Sequence, residues 1–219
     1  MNIRMAVASG NRHKLQEIAS LLGMDSGQIL SPADFPGYSE PVEDAPDFEG
    51  NAAIKAKALR QHILNSSPSD NSGDLWIMAD DSGLEVDALH GAPGVHSARY
   101  ASLESGAPGN APDEANNRKL LSALQSVPDD LRSARFVCVI VLIPPGATEC
   151  RHFRGGCEGR IAQAPSGSHG FGYDPLFIPD GYTASMADLG EDIKSSISHR
   201  AAAITLVRQF LRKDQNIPV

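Results

Sequence analysis

The stretch RMAVASGNRHKLQEIASLLG, from Arg4 to Gly23, changes its hydrophobic period at a glycine. Its first part, Arg4 to Ala8, predicts a short buried strand. After Ser9-Gly10-Asn11 the apolar residues recur at the spacing of an amphipathic helix, at Leu15, Ile18, Ala19 and Leu22. Gly23 is typical of a helix C-cap. A strand that enters a helix through a glycine turn is a building unit of α/β folds.

The same alternation continues through the first half of the chain. A weak strand at residues 28–30 precedes an acidic, proline-rich stretch at 34–49, and a second helical stripe follows at Ala52, Ala56, Leu59 and Ile63. Residues 65–74 predict an exposed loop. Residues 75–79 (LWIMA) predict an interior strand with Asp80-Asp81-Ser82-Gly83 at its carboxyl end, and Glu85 to Leu89 predicts a separate short strand.

The second half indicates an antiparallel meander and a final helix. A helix is predicted from Asp113 to Gln125, and the strongest strand from Arg135 to Ile143. Pro144-Pro145-Gly146 turns the chain into residues 150–161, which we expect to form a hairpin strand broken by Gly155-Gly156. The last helix begins after Ser198 as N-cap. The class is therefore α/β with a mixed sheet.

Composition excludes several classes of protein. The chain of 219 residues carries 27 acidic and 19 basic residues, a net charge of −8, which does not suit a protein that coats nucleic acid. The longest apolar run, Phe136 to Ile143, has eight residues, so no membrane span is predicted. Three cysteines without a C-x-x-C spacing favour a reducing compartment, and we expect a cytoplasmic protein.

The first candidate site is the turn Ser9-Gly10-Asn11-Arg12-His13-Lys14. A glycine turn that enters a helix directs free backbone N–H groups at a ligand, the helix dipole favours an anion, and Lys14 adds a positive charge. The spacing is neither that of a Walker loop nor that of the dinucleotide fingerprint. The alternative is an ordinary helix start with Asn11 as cap and Lys14 in solvent.

The second candidate is Asp80-Asp81-Ser82-Gly83. Neighbouring side chains of an extended segment point to opposite faces, so one aspartate can face a cleft while the other needs a structural partner. A carboxylate here could hold a divalent cation or orient a water molecule. Glu43, Asp44, Asp47 or Glu49 could supply a second carboxylate. The alternatives are a simple D-S-G turn and a solvated acidic loop.

Two further segments suit a nucleotide base. In Gly170-Phe171-Gly172-Tyr173-Asp174-Pro175, glycines allow the backbone close to a flat ligand while an aromatic ring stacks on it. The segment from Lys194 to Arg200 ends in the first turn of the last helix, where the helix dipole opposes basic side chains unless an anion or an electron-rich ligand is near. Such donors match the keto oxygen and ring nitrogen of a purine. A buried aromatic and a solvated basic cluster are the alternatives.

Taken together, the segments resemble the inosine triphosphate pyrophosphatase family, also called dITP/XTP pyrophosphatases. The resemblance runs almost end to end and rests on six motifs in the same order. They are SGNRHK at Ser9–Lys14, NAAIKA at Asn51–Ala56, ADDSGLEVD at Ala79–Asp87, GAPGVHSARY at Gly91–Tyr100, GFGYDP at Gly170–Pro175 and KSSISHR at Lys194–Arg200.

The resemblance implies one domain over residues 1–219 with an elongated two-lobed α/β fold. A long mixed central sheet would be flanked by helices, with the active-site cleft between the lobes. The implied enzyme is a homodimer that uses Mg²⁺ to hydrolyse non-canonical purine nucleoside triphosphates (dITP/ITP, XTP/dXTP) to the monophosphate and pyrophosphate. Such an enzyme removes deaminated purines from the nucleotide pool, and binds neither nucleic acid nor membrane.

Site residues follow by motif. The triphosphate would contact Ser9, Gly10, Asn11, Arg12, His13 and Lys14. Asp81 would be the catalytic carboxylate and a metal ligand, with Ser82 as a substrate contact. Glu43 is the expected second metal ligand, and Asp44 and Asp47 are its alternatives. The base and sugar would be held by Phe171, Gly172, Tyr173, Asp174, Lys194, His199 and Arg200.

Two rival functions stay open on the sequence. One is a related pyrophosphatase of the same fold that acts on pyrimidine or modified nucleoside triphosphates, which the F-G-Y-D and S-H-R motifs disfavour. The other is a module that binds nucleotides without hydrolysing them. The presence of Asp80, Asp81 and an acidic loop argues against that module, because it would have no need for catalytic carboxylates.

Overall fold

A computed structural model describes residues 3–25, 27–66, 75–103 and 109–214. Its strands form one six-stranded sheet in the order β2-β1-β3-β4-β5-β6. They are β1 (Met5–Val7), β2 (Ile29–Leu30), β3 (Trp76–Val86), β4 (Ser133–Ile143), β5 (Arg151–Ile161) and β6 (Phe177–Pro179). β1 pairs in parallel with β2 and β3, whereas β5 pairs antiparallel with β6. The predicted α/β class with a mixed sheet is confirmed.

Helices flank the sheet. They are α1 (Arg12–Leu22), α2 (Phe48–Ser66), α3 (Asp113–Ala123), α4 (Met186–Ile197) and α5 (His199–Asp214). The predicted C-cap of α1 is confirmed, because Gly23 adopts the left-handed conformation at φ 65°. The side chain of Asn11 accepts a hydrogen bond from Lys14 N and caps the start of α1, as the alternative interpretation of this turn expected. In the described ranges, no helix combines the length and apolar character needed to cross a membrane.

The chain divides into two compact units. Unit 1 comprises Met1–Asp81, Cys138–Arg154 and Ala203–Val219, and unit 2 comprises Ser82–Val137 and Gly155–Ala202. Strands β3, β4 and β5 each contribute residues to both units, because the chain leaves one unit and enters the other within each of these strands.

Unit 1 has a hydrophobic core on each face of its part of the sheet. Alternate residues of β1 separate between the cores, as the pleat of a strand requires: Met5 belongs to one and Ala6 to the other. The first core packs Ile18 of α1 against the sheet together with the apolar face of α5, and the second packs the stripe of α2. That stripe consists of the predicted residues Ala52, Ala56, Leu59 and Ile63.

The described residues of unit 2 form a core that joins α3, the ends of three strands and the segment before β6. Leu120 and Leu124 pack with Leu84 of β3, Phe136 of β4 and Tyr173. Tyr173 also donates a hydrogen bond from its hydroxyl to Ser97 O at 2.8 Å. The core therefore fixes the backbone on which the predicted base-binding residues lie.

Some sequence predictions of local structure are wrong. Glu85 to Leu89 do not form a separate strand, because β3 continues to Val86 and residues 87–89 form a short 3₁₀ helix. Residues 80–83 lie inside β3 and not at its carboxyl end, because β3 lies between β1 and β4 and the sheet overrides the turn preference of Ser82-Gly83. Strand β5 runs unbroken through Gly155-Gly156. Helix α4 has no counterpart in the prediction, since its stripe is interrupted at Gly190, which has φ 79°. Of the predicted loop at 65–74, residues 65–66 end α2 and the rest lies outside the described residues.

Candidate active site

The predicted phosphate turn of unit 1 connects β1 to α1, as expected. Gly10 N donates to the Glu40 carboxylate at 3.2 Å, and Asn11 N donates to Ser9 Oγ at 3.3 Å. The side chains of Arg12 and His13 are exposed at the start of α1. The Glu40 carboxylate thus accepts a hydrogen bond from the turn, as an anionic ligand at a helix N-terminus would. Sequence reasoning did not identify Glu40.

Lys14 lies one turn into α1 and pairs with Asp80. Its Nζ is 3.2 Å from Asp80 Oδ2, and the side chain of Asp80 is fully shielded from solvent. Lys14 is therefore not a solvated surface lysine, which was the alternative interpretation. Asp80 and Asp81 have different lysine partners, as the alternation of side chains along an extended segment requires.

Asp81 shares a lysine with Glu43. Lys55 Nζ donates to Asp81 Oδ1 at 3.1 Å and to Glu43 Oε2 at 3.0 Å. Lys55 lies on α2, one turn after Asn51, and the two residues share a helix face at the i, i+4 spacing. Neither Asn51 nor Lys55 was predicted as a site residue, although both lie in the NAAIKA motif that carried the resemblance.

Asn51 connects Asp81 to the acidic loop. The residue is buried, its Nδ2 donates to Asp81 Oδ2 at 3.3 Å, and its Oδ1 accepts from Ala45 N at 3.0 Å. Ala45 lies two residues after Glu43. One amide therefore orients Asp81 and fixes the backbone that carries Glu43.

Burial and charge act in opposite directions on this cluster. Burial raises the pKa of Asp81 above its usual value, and the negative charge of Glu43 adds to the increase, while Lys55 and Lys14 lower it by less. Burial lowers the pKa of Lys55, but the nearby carboxylates Asp81, Asp80 and Glu43 outweigh burial and raise it. Lys55 is thus held in its charged form by the carboxylates around it.

The donor set of this cluster fits a hard divalent cation. Glu43 and Asp81 present carboxylate oxygens around a single positive charge, and Mg²⁺ is typically held by one or two protein carboxylates together with substrate phosphates. Within the described residues, no group of three or more His, Cys, Asp or Glu side chains is arranged to hold a metal ion. Of the two alternatives to Glu43, Asp47 accepts a hydrogen bond from Gly50 N at the start of α2, and Asp44 is exposed.

In unit 2, Arg200 and His199 follow Ser198 at the start of α5. Ser198 Oγ accepts from Ala201 N at 3.1 Å, so the predicted N-cap is confirmed. Arg200 is 1% exposed, and its Nη2 donates to Ser82 Oγ at 2.9 Å. The imidazole of His199 stacks on Phe136, with ring centroids 4.9 Å apart. Unit 2 therefore brings Ser82 and Arg200 together.

The segment from Gly170 to Asp174 forms a turn around a buried ion pair. Lys194 Nζ lies 2.7 Å from Asp174 Oδ2 and 4.5 Å from the centroid of the Phe171 ring. Asp174 Oδ2 also accepts from Phe171 N at 2.9 Å. The structure thus brings together Phe171, Asp174 and Lys194, whereas the hydroxyl of Tyr173 is engaged by Ser97 O. Burial raises the pKa of that hydroxyl.

Lys194 lies in the last turn of α4, before the N-cap of α5. The dipole of α4 favours a cation there, so this lysine needs no anionic ligand to compensate an opposing dipole. His199 and Arg200 lie in the first turn of α5, where the helix dipole opposes basic side chains.

Comparison with known proteins agrees with the resemblance. The profile of the Ham1 family matches residues 5–210. The dITP/XTP pyrophosphatase of Opitutus terrae is 43% identical over 217 residues, covering 96% of this chain and 100% of the relative. The dITP/XTP pyrophosphatase of Geobacter sulfurreducens is 45% identical, covering 95% of this chain and 96% of the relative.

A solved structure supports the same assignment. The Ham1 protein of Staphylococcus aureus superimposes with a TM-score of 0.78 at 35% identity, covering 96% of this chain and 99% of the other. Sequence and fold therefore agree over nearly the whole length, and the chain belongs to the Ham1 family.

Proposed function

We propose that the protein is a nucleoside triphosphate pyrophosphatase that hydrolyses non-canonical purine nucleotides, dITP/ITP and XTP/dXTP, to the monophosphate and pyrophosphate. Its role is to remove deaminated purines from the nucleotide pool. The observation that carries the proposal is the pair of carboxylates, Asp81 and Glu43, joined by Lys55 in a chain that is 43% identical to a dITP/XTP pyrophosphatase.

The charged cluster of unit 1 suits the triphosphate. The N–H groups of the Ser9–Asn11 turn, Lys14 and Lys55 supply donors and positive charge for phosphate oxygens, and a phosphate would replace the Glu40 carboxylate at Gly10 N. Asp81 and Glu43 would hold Mg²⁺. When bound, the cation would stabilise the negative charge on the phosphate oxygens and on the leaving pyrophosphate.

Asp81 is the proposed base of the hydrolysis. Asn51 donates to its Oδ2 and so fixes the orientation of the carboxylate for this role. In the proposed step Asp81 takes a proton from a water molecule, the water oxygen forms a bond to the α-phosphorus, and the α–β bridging oxygen leaves with the pyrophosphate. No covalent intermediate is needed. Burial raises the pKa of the Cys157 thiol to about 11, so this cysteine is unsuited to act as a nucleophile.

Base selection is assigned to the donors of unit 2. A six-keto purine presents an acceptor where adenine presents an amino donor, so Lys194, His199 or Arg200 would be satisfied by inosine or xanthosine and opposed by adenosine. Mispaired buried polar groups can discriminate by roughly 10⁴. The Phe171 ring would stack on the base, a contact worth roughly 1–3 kcal/mol.

A substrate panel tests the proposal. The protein is incubated with Mg²⁺ and, separately, with ITP, XTP, GTP, ATP and dTTP, and released pyrophosphate and orthophosphate are quantified. We expect rapid release of pyrophosphate from ITP and XTP and a kcat/KM for ATP lower by several orders of magnitude. Equal efficiency with ATP would overturn the base selection. Preference for dTTP would favour the pyrimidine-directed rival, and binding of ITP without turnover would favour the nucleotide-binding module.

Domain organisation, assembly and location are part of the same proposal. Units 1 and 2 make one folding domain, because the chain passes between them within three separate strands. A single cooperative unfolding transition would support this, and two separate transitions would contradict it.

We also propose a homodimer, which light scattering after gel filtration tests. A cytoplasmic location is part of the same proposal, and the three free cysteines favour it.

A further inference from the structure

Two side chains of helix α3 hydrogen-bond to the backbone N–H and C=O of one residue in the proposed base-binding turn, Gly172. Asp113 Oδ2 accepts from Gly172 N at 2.7 Å, and Asn117 Nδ2 donates to Gly172 O at 3.0 Å. Asp113 and Asn117 are four residues apart, so they lie on one face of the helix. Both backbone polar groups of a single glycine are thereby bonded to side chains of one helix.

Gly172 follows Phe171 and has φ 64°, a left-handed conformation that residues with a Cβ rarely adopt. On the other side of Phe171, Gly170 has φ 79°, and a Cβ there would overlap the Asp174 carboxylate. The backbone on both sides of Phe171 therefore adopts left-handed conformations that side-chain contacts hold in place.

Helix α3 is itself anchored in unit 2. Asn116 lies between Asp113 and Asn117 in the chain and is buried. Its side chain accepts a hydrogen bond from Ala101 N at 2.8 Å and donates one to Ala98 O at 3.2 Å. Leu120 packs in the core of the same unit. The side chains that reach Gly172 therefore start from a fixed helix, and a constraint on Gly172 limits where the Phe171 ring can lie.

We propose that Asp113 and Asn117 are positioning residues for base recognition. They fix Gly172, and through it they hold the Phe171 ring where it stacks on the purine; this rests on the proposed function of that turn. Neither residue is assigned a contact with the substrate. Their removal therefore weakens binding of the base and leaves the phosphate chemistry unchanged.

The test compares a nucleotide with a substrate that has no base. D113A and N117A are each expected to raise KM for ITP about fivefold, the size of one lost hydrogen bond, with kcat unchanged. Hydrolysis of ribose 5-triphosphate should keep its wild-type kcat/KM, because that substrate has no base to stack. D113N keeps an acceptor for Gly172 N and should restore KM. E114A removes the other carboxylate from the first turn of α3 and is the matched control for lost helix-dipole stabilisation.

Double substitution separates this inference from the proposed function. F171A alone should raise KM for ITP, and D113A should add nothing in the F171A background, because both act through the same ring. If F171A leaves KM unchanged, the base role of the turn fails and this inference fails with it. If F171A raises KM but D113A has no effect, or an additive one, only the positioning role is overturned.

A second readout does not depend on activity. Hydrogen exchange at the Gly172 amide should be faster in D113A than in the wild type and in E114A, since its acceptor has been removed. Unchanged exchange would overturn the inference. If D113A does not fold, D113S replaces it, because serine suits a helix start but its hydroxyl is too short to reach Gly172 N.

Discussion

The ammonium nitrogen of Lys55 lies 3.1 Å from Asp81 Oδ1, and both side chains are largely buried. Because Glu43 approaches the same nitrogen at 3.0 Å, one positive charge lies between two carboxylates and reduces the repulsion between them. The arrangement places two carboxylates and one ammonium group where the reaction is proposed to occur. It also makes the stability of the protein depend on the residues proposed to perform the reaction.

The first prediction concerns turnover. D81N keeps the size of the side chain but removes its capacity to accept a proton, so kcat for ITP should fall by about 10² or more. Steady-state kinetics with saturating ITP and Mg²⁺ measure the effect, and circular dichroism verifies folding. D44N, on an exposed acidic residue of the neighbouring loop, is the control and should keep wild-type turnover. Near-normal turnover in D81N would remove Asp81 from the catalytic role.

The second prediction concerns the stability of the same variant without metal. The pKa of Asp81 is higher in the folded protein than its ordinary value of 3.8, so the folded state binds this proton more tightly than the unfolded chain does. Its contribution to stability is therefore present below the unfolded pKa and lost as pH rises through the folded pKa. Near pH 7 in a chelator, D81N should melt at a higher temperature than the wild type, and the difference should shrink as pH falls. A lower melting temperature for D81N would contradict the direction of the shift.

The third prediction identifies the second metal ligand. E43Q removes the charge of the carboxylate that shares Lys55 with Asp81, so the Mg²⁺ concentration for half-maximal activity should rise about tenfold or more. Titration of activity with Mg²⁺ at fixed ITP measures this. D44N and D47N are the matched controls from the same loop and should leave the Mg²⁺ requirement near that of the wild type. A larger change in either control than in E43Q would assign the ligand to that residue instead.

The fourth prediction concerns the ion pair of unit 2. The side chains of Lys194 and Asp174 are 6% and 5% exposed, so K194M leaves a buried carboxylate without its cation and should lower the free energy of unfolding by about 3 kcal/mol. The double variant K194M/D174N removes the charge as well as its partner and should recover much of the loss. Urea unfolding measures both variants. Equal stability of K194M and the wild type would show that Lys194 does not stabilise a buried Asp174 carboxylate.

The sequence predicted elements well where local signals and packing agree. Local sequence signals encode the strand β1, the glycine turn and the capped helix α1. The apolar stripe of α2 has the helical period. The prediction failed at residues 80–83, where pairing in the sheet overrides a local turn preference, and at α4, where Gly190 interrupts the pattern. Tertiary context decided the first case, whereas a local glycine obscured the helical pattern in the second.

For the site, sequence motifs identified which segments carry polar groups but not which side chains meet. Lys55 was visible as part of a motif, yet its role depends on Glu43 and Asp81, which are 12 and 26 residues away in the chain. The contacts of Asp113 and Asn117 with Gly172 span 59 and 55 residues. Such pairings arise from the fold, and no local periodicity in a single sequence encodes them.

Isotope labelling tests whether water attacks the α-phosphorus with Asp81 as its base. ITP is hydrolysed in ¹⁸O-labelled water under single-turnover conditions, and both products are analysed by mass spectrometry. We expect one ¹⁸O atom in the inosine monophosphate, none in the pyrophosphate, and at least a hundredfold slower labelling in D81N. Label in the pyrophosphate, or release of orthophosphate, would place the attack on another phosphorus and contradict the account.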